Sequence, residues 1–148
     1  MLEARQRAEG LDNVVFSDQD LPKEDVARLV ASADVAMTIY KNVPILYTCS
    51  PNKMFDSFAA GKPVLTNMPG WLQGLVEEHN AGVFVEPDNA KDLADKAAEL
   101  AAHPERCEAY GKNSRRLAEE MFARDKLVKQ LERVLSAQAK TRDALASA

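Results

Sequence analysis

The sequence predicts an α/β protein: a three-layer arrangement with a parallel sheet between helices, followed by C-terminal helices. Three observations lead there. Short apolar runs alternate with segments of helical periodicity, the order that β-α-β crossovers need. The run Val35-Ala36-Met37-Thr38-Ile39 carries no charge, as strands covered on both faces do. Pro22, Pro51, Gly61, Pro63, Pro69, Gly70 and Pro104 fall at the joints between runs, where they start or stop elements.

In chain order, residues 2–9 read as a helix ended by Gly10, and residues 13–16 (Asn-Val-Val-Phe) as a short buried strand. Pro22 opens a helix with Val26, Leu29 and Val30 on one face, closed by Ala33 and Asp34. Residues 35–39 form the second strand. Residues 41–49 follow as a loop whose Val43, Ile45, Leu46 and Tyr47 are apolar, with Pro44 arguing against a central strand. After a capped helix come a strand over 63–66 and the turn Pro69-Gly70. A short helix then turns Leu72, Leu75 and Val76 inward, and a fourth strand covers 83–85. Three helices end the chain. The first carries Leu93, Ala97 and Leu100, the second Tyr110, Leu117 and Met121, the third Leu127, Val128, Leu131, Val134 and Leu135. Residues 1–136 are expected to form one domain and the Ala-rich residues 137–148 a frayed tail.

At 148 residues the chain is long enough for one domain with its own core. Its net charge of −4 disfavours nucleic acid as a partner. The one dense basic patch is Lys112, Arg115 and Arg116. Cys49 and Cys107 lack the spacing of a zinc or redox motif and read as reduced thiols, one disulfide remaining open. His79 and His103 have no ligand-like neighbours, so no metal is expected. No segment approaches the roughly 20 apolar residues of a membrane span, and the charged N-terminus lacks a signal-peptide core. A cytoplasmic protein is expected.

Residues 50–63, SPNKMFDSFAAGKP, carry the candidate chemistry. Ser50 suits a helix cap and Pro51 the first helical position. Gly61 suits the left-handed turn that ends a helix, and Pro63 prevents continuation. Met54, Phe55, Phe58 and Ala59 form the buried stripe, which leaves Lys53 and Asp56 towards solvent. Free N–H groups and the helix dipole favour an anion near Lys53. Asp56 is placed to accept hydrogen bonds from sugar hydroxyls. The plain alternative is a solvated helix face, since most helix starts bind nothing. In parallel sheets ligands sit beyond the carboxyl ends of the strands, here near Ile39 and Thr66.

Residues from 13 to about 135 resemble the C-terminal, donor-binding domain of the GT-B glycosyltransferases, in particular the large retaining family 4, also called group 1. The resemblance runs through NVVFSDQDLPKEDVARLVASADVAM, SPNKMFDSFAAGKPVLTN and AGVFVEPDNAKDLADKAAELAAHPERCEAYGKNSRRLAEEMF. The middle segment is most similar to the branch that handles amino sugars for bacterial surface polysaccharides. The resemblance implies a Rossmann-like fold, no cofactor and no metal. It implies a UDP- or GDP-linked sugar as donor and transfer of that sugar to a hydroxyl. Ser50, Asn52, Lys53, Asp56 and Thr66 are then the expected nucleotide-sugar-binding residues: Asp56 on the ribose, Lys53 near the diphosphate, Thr66 on the strand leading to the pocket. The catalytic residues stay unassigned.

The sequence departs from the family in several places. Asp56 stands where Glu is usual, and Thr48 where a second Glu would meet the donor sugar. The apolar loop replaces a Gly-rich turn. Two further strands, a basic pair and the N-terminal acceptor domain of the family have no counterpart in these residues, so a truncated, catalytically inactive donor-binding part is expected. Peripheral membrane association of the parent enzyme at the inner face and self-association through uncovered apolar surface remain open. So does a non-catalytic remnant or interaction module that binds no nucleotide.

Overall fold

A computed structural model describes the backbone of residues 13–15 and 20–146, with side chains through residue 138. Helix α1 (Lys23–Ser32) leads into β1 (Ala36–Thr38), a 3-10 turn (Pro44–Thr48) and α2 (Asn52–Ala59). Then follow β2 (Val64–Thr66), α3 (Trp71–Glu78), β3 (Gly82–Phe84), α4 (Ala90–Ala102), α5 (Pro104–Met121) and α6 (Arg124–Ala146). The described sheet has three parallel strands in the order β1-β2-β3. Ala36 pairs with Val64 and Val64 with Gly82; Thr38 pairs with Thr66 and Thr66 with Phe84. The expected α/β architecture is therefore present.

Adjacent side chains of a strand point to opposite faces, and β2 feeds two cores in this way. Val64 joins Met54 and Phe58 of α2, Leu72, Leu75 and Val76 of α3, and Leu117 of α5. Leu65 joins Val85 and Leu100, with Val83, Leu93, Cys107 and Tyr110 beside them. Helices α2 and α3 thus cover one face of the sheet and α4 the other, with α5 reaching both cores, in a three-layer sandwich. Aromatic packing reinforces the first core. The Phe55 ring lies 4.8 Å from Phe122, 6.2 Å from Phe58 and 6.4 Å from Trp71, centroid to centroid.

Several expectations are corrected. Asn13 lies in a turn and Val14 and Val15 in no strand, since a strand needs a hydrogen-bonded neighbour and none pairs with them among the described residues; Val15 is 92% exposed. Phe16 and the helix expected over 2–9 lie outside the described residues. No residue of α1 is buried, so its apolar face lies on the surface. Pro51, not Ser50, occupies the cap position of α2, and no side chain caps that helix. In α2 the buried set is Met54, Ser57 and Phe58; Ala59 is exposed and Phe55 half-buried. In α5 the buried set is Gly111, Ser114 and Leu117, while Met121 is exposed.

The last shift has a steric cause. A Cβ on Gly111 would meet the Gly61 carbonyl oxygen well inside contact distance, so α5 crosses the end of α2 backbone to backbone. Ser114 Oγ donates to the Ala81 carbonyl at 3.0 Å, and Asn113 Nδ2 to the Asn80 carbonyl at 3.0 Å. Gly61 takes the expected left-handed conformation, φ 67°. Helix α6 runs on to Ala146, through the segment expected to fray. Its Leu127, Leu131 and Leu135 are exposed and do not pack on the sheet. Both cysteines are free and half-buried. Among the described residues no helix is long and apolar enough to cross a membrane.

Candidate functional site

Parallel strands place their carboxyl ends on one rim, where β1, β2 and β3 end level at Thr38, Thr66 and Phe84. Each strand then leaves by a loop to a helix, so three loops and three helix starts share this edge. Polar side chains fix the rim. Thr66 Oγ1 donates to the Thr38 carbonyl at 2.9 Å, and the Met68 N–H reaches Thr66 Oγ1 at 3.3 Å. The Asn67 side chain grips Tyr40 twice: Oδ1 accepts from the Tyr40 N–H at 2.9 Å and Nδ2 donates to the Tyr40 carbonyl at 2.8 Å. Lys96 Nζ donates to the Phe84 carbonyl at 2.6 Å and to Asp92 at 3.0 Å. Asp92 also accepts from the Glu86 N–H at 2.7 Å. These two donors hold the Asp92 carboxyl below its ordinary range.

The loop after β1 spans this edge. Asn42 Nδ2 donates to Asp88 Oδ2 at 2.8 Å, and the Tyr47 hydroxyl donates to Asn42 Oδ1. Asp88 itself adopts φ 58°, which a short polar side chain tolerates. Between the strand ends and the start of α4 lies an open cavity of about 480 Å³, bounded among others by Tyr40, Lys41, Asn67, Glu86 and Asp88. A larger cavity of about 890 Å³ lies at the opposite, amino rim, between Val35, Pro63, Leu100 and Cys107. Size does not make it the site of chemistry: doubly wound sheets present their loops and helix starts at the carboxyl rim.

The predicted site residues fall into two groups. Asn52, Lys53 and Asp56 share the exposed side of α2, which starts from the carboxyl rim. No side chain caps α2, so its first N–H groups stay open to an outside acceptor. Lys53 Nζ lies 4.4 Å from the centroid of the Tyr40 ring. Asp56 faces solvent, and its carboxylate is ion-paired with no described residue. Ser50 is exposed in the loop ahead of the helix. Thr66 is fully buried and its hydroxyl is committed to the β1–β2 staple, so the structure keeps it apart from the α2 group. Neither cavity is lined by Ser50, Asn52, Lys53 or Asp56. Thr48 turns its hydroxyl back onto the Ile45 carbonyl at 3.1 Å.

Sequence reasoning missed Tyr40, Asn42, Asn67 and Asp88. A polar residue directly after a buried parallel strand, such as Asn67, was the one available signal. Pairing Asn67 with Tyr40 and Asn42 with Asp88 needs the fold. The basic patch is quenched locally: Lys112 pairs with Glu108 at 2.5 Å, Arg115 with Glu119 at 2.7 Å, and Arg116 donates to Asn113 at 3.2 Å. Among the described residues no cluster of three or more His, Cys, Asp or Glu could hold a metal ion.

Comparison with known proteins gives these surfaces a context. Over 115 residues the chain is 28% identical to MMP alpha-(1->4)-mannosyltransferase of Mycolicibacterium hassiacum, covering 77% of this chain and 27% of that protein. It is 29% identical over 128 residues to spore coat protein SA of Bacillus subtilis, covering 81% of this chain and 31% of that one. The chain thus spans about a third or less of the curated relatives it matches. Among solved structures, sucrose-phosphate synthase from Thermosynechococcus elongatus superposes with a TM-score of 0.74 at 26% identity. That likeness covers 94% of this chain and 35% of the synthase. Residues 1–103 match the family described as glycosyl transferases group 1. A match over that much of the sequence settles kinship: the chain belongs to the group 1 glycosyl transferases.

Proposed function

We propose that this chain is the donor-binding part of a glycosyltransferase that moves a sugar from a nucleotide diphosphate sugar to a hydroxyl acceptor, in surface polysaccharide or glycoconjugate synthesis. One observation supports the reading: Lys53 and Asp56 stand exposed on the uncapped start of α2, at the carboxyl rim beyond which parallel α/β sheets bind their ligands. The open N–H groups and the Lys53 ammonium would meet the diphosphate, and the Asp56 carboxylate the ribose hydroxyls. As the sugar leaves, charge grows on the diphosphate, and donors fixed in advance stabilise it. The UDP- or GDP-linked donor, the separate acceptor domain, the absence of a cofactor and a cytoplasmic location, with peripheral association of the parent enzyme at the inner face of the membrane, belong to the same proposal.

Isothermal titration calorimetry with uridine and guanosine diphosphates tests it. Asp56→Ala and Lys53→Ala should each weaken binding about tenfold or more, the scale of lost hydrogen bonds to charged groups. Wild-type affinity in both variants overturns the site. Thr48 favours a second reading, because no carboxylate stands where the resemblance calls for one. A remnant or interaction module of the same fold would bind neither diphosphate.

A further inference from the structure

We propose that Asn67 and Tyr40 are positioning residues that hold the Lys53 ammonium ready for a diphosphate, an inference that rests on the role of Lys53 given above. The β1–β2 ladder ends at the Thr38–Thr66 pair, two residues before Tyr40. Beyond that point the backbone after β1 has no ladder partner. The Asn67 side chain supplies one: its carbonyl takes the Tyr40 N–H at 2.9 Å and its amide reaches the Tyr40 carbonyl at 2.8 Å. Only one orientation of the Asn67 amide satisfies both bonds, so the grip is specific. Asn67 is itself buried, which shields these bonds from water.

The clamp fixes where the Tyr40 side chain can go. Tyr40 packs against the core that contains Met54 and Phe58, so its ring has little freedom. Lys53 Nζ sits 4.4 Å from the centre of that ring, within the range of a cation–π contact. A lysine on a bare helix surface samples many rotamers and loses that freedom on meeting an anion. A ring that already restrains the ammonium removes part of the loss before the ligand arrives. The chain of cause runs from Asn67 through the Tyr40 backbone and ring to Lys53. Neither Asn67 nor Tyr40 needs to touch the diphosphate.

The test compares uridine diphosphate with uridine, and guanosine diphosphate with guanosine, by calorimetry on the whole chain. Tyr40→Leu should weaken the diphosphates about three- to fivefold, the scale of one cation–π contact, and leave the nucleosides unchanged. Tyr40→Phe keeps the ring and should keep wild-type values. In a Lys53→Met background, Tyr40→Leu should add nothing. A second readout needs no ligand. Lys53 Hε protons should be shifted upfield by the ring in wild type and Tyr40→Phe, and should return to ordinary values in Tyr40→Leu and Asn67→Asp.

Equal weakening of nucleoside and diphosphate, tighter binding in Tyr40→Leu, or a Tyr40 effect that persists without Lys53 overturns the inference while leaving the donor-binding reading intact. Wild-type diphosphate affinity in Lys53→Met, or no binding of either diphosphate to wild type, brings down that reading and this inference with it.

Discussion

The two threonines that face each other at the ends of β1 and β2 should respond oppositely to the same substitution. Both are fully buried. Thr66 Oγ1 donates to the Thr38 carbonyl and accepts the Met68 N–H. Thr38 Oγ1 has no hydrogen-bond partner among the described residues. Valine matches threonine in shape and keeps the β-branched fit to a strand. At Thr38 the change removes a buried hydroxyl that makes no bond, whose burial costs about 1–3 kcal/mol. Thr38→Val should therefore stabilise the fold by about 1 kcal/mol, raising Tm by about 2–4 °C at this chain length. At Thr66 the same change leaves a carbonyl and an amide without a side-chain partner. Thr66→Val should destabilise by about 1–3 kcal/mol. Urea unfolding read by far-UV circular dichroism measures both, with the midpoint moving and the slope unchanged. Loss of stability in Thr38→Val, or a neutral Thr66→Val, would refute the assignment of the staple.

Three further outcomes are expected. Gly111→Ala should cost about 1–3 kcal/mol, because its methyl drives α5 off the Gly61 carbonyl; an unchanged urea midpoint would deny the close crossing. Asp92 has a lowered pKa in the fold, so its contribution is complete above the unfolded value of about 4 and is lost as pH falls through the folded value. The stability gap between wild type and Asp92→Asn should close as pH drops from about 5 into that window, and a gap constant across it would show that the Glu86 and Lys96 contacts do not hold the carboxylate. Met37, 51% exposed on β1, should support concentration-dependent self-association in sedimentation velocity runs. Met37→Glu should reduce it; an unchanged distribution would move the contact elsewhere.

Much of this fold was legible because its signals are local. A charge-free run marked β1, helical spacing placed Leu72, Leu75 and Val76 inward on α3, and Gly61 announced the end of α2. Kinship was legible for the same reason, since the helix bearing Lys53 and Asp56 and its flanking Pro51, Gly61 and Pro63 occupy one continuous stretch. Strand formation over 13–15 was not decided locally: a strand needs a neighbour to bond, and Val14 and Val15 have none among the described residues. Local reading found Met54, Phe58 and Leu117 on the buried faces of α2 and α5 but not their small neighbours. Gly111 is inside because α5 crosses the Gly61 carbonyl there, and the buried Ser57 and Ser114 bond their hydroxyls to the Lys53 and Ala81 carbonyls.

Sequence by itself thus determined the alternation of strands and helices, the family, and the exposure of Lys53 and Asp56, all properties of residues within a few positions of one another. Only the tertiary structure decided that Thr66 is sealed into the sheet, that Asn67 grips Tyr40, and that Tyr40 meets Lys53. The physical reason is distance along the chain. The two grips join residues 27 or 28 positions apart, and strand register, which nothing local reports, brings them together.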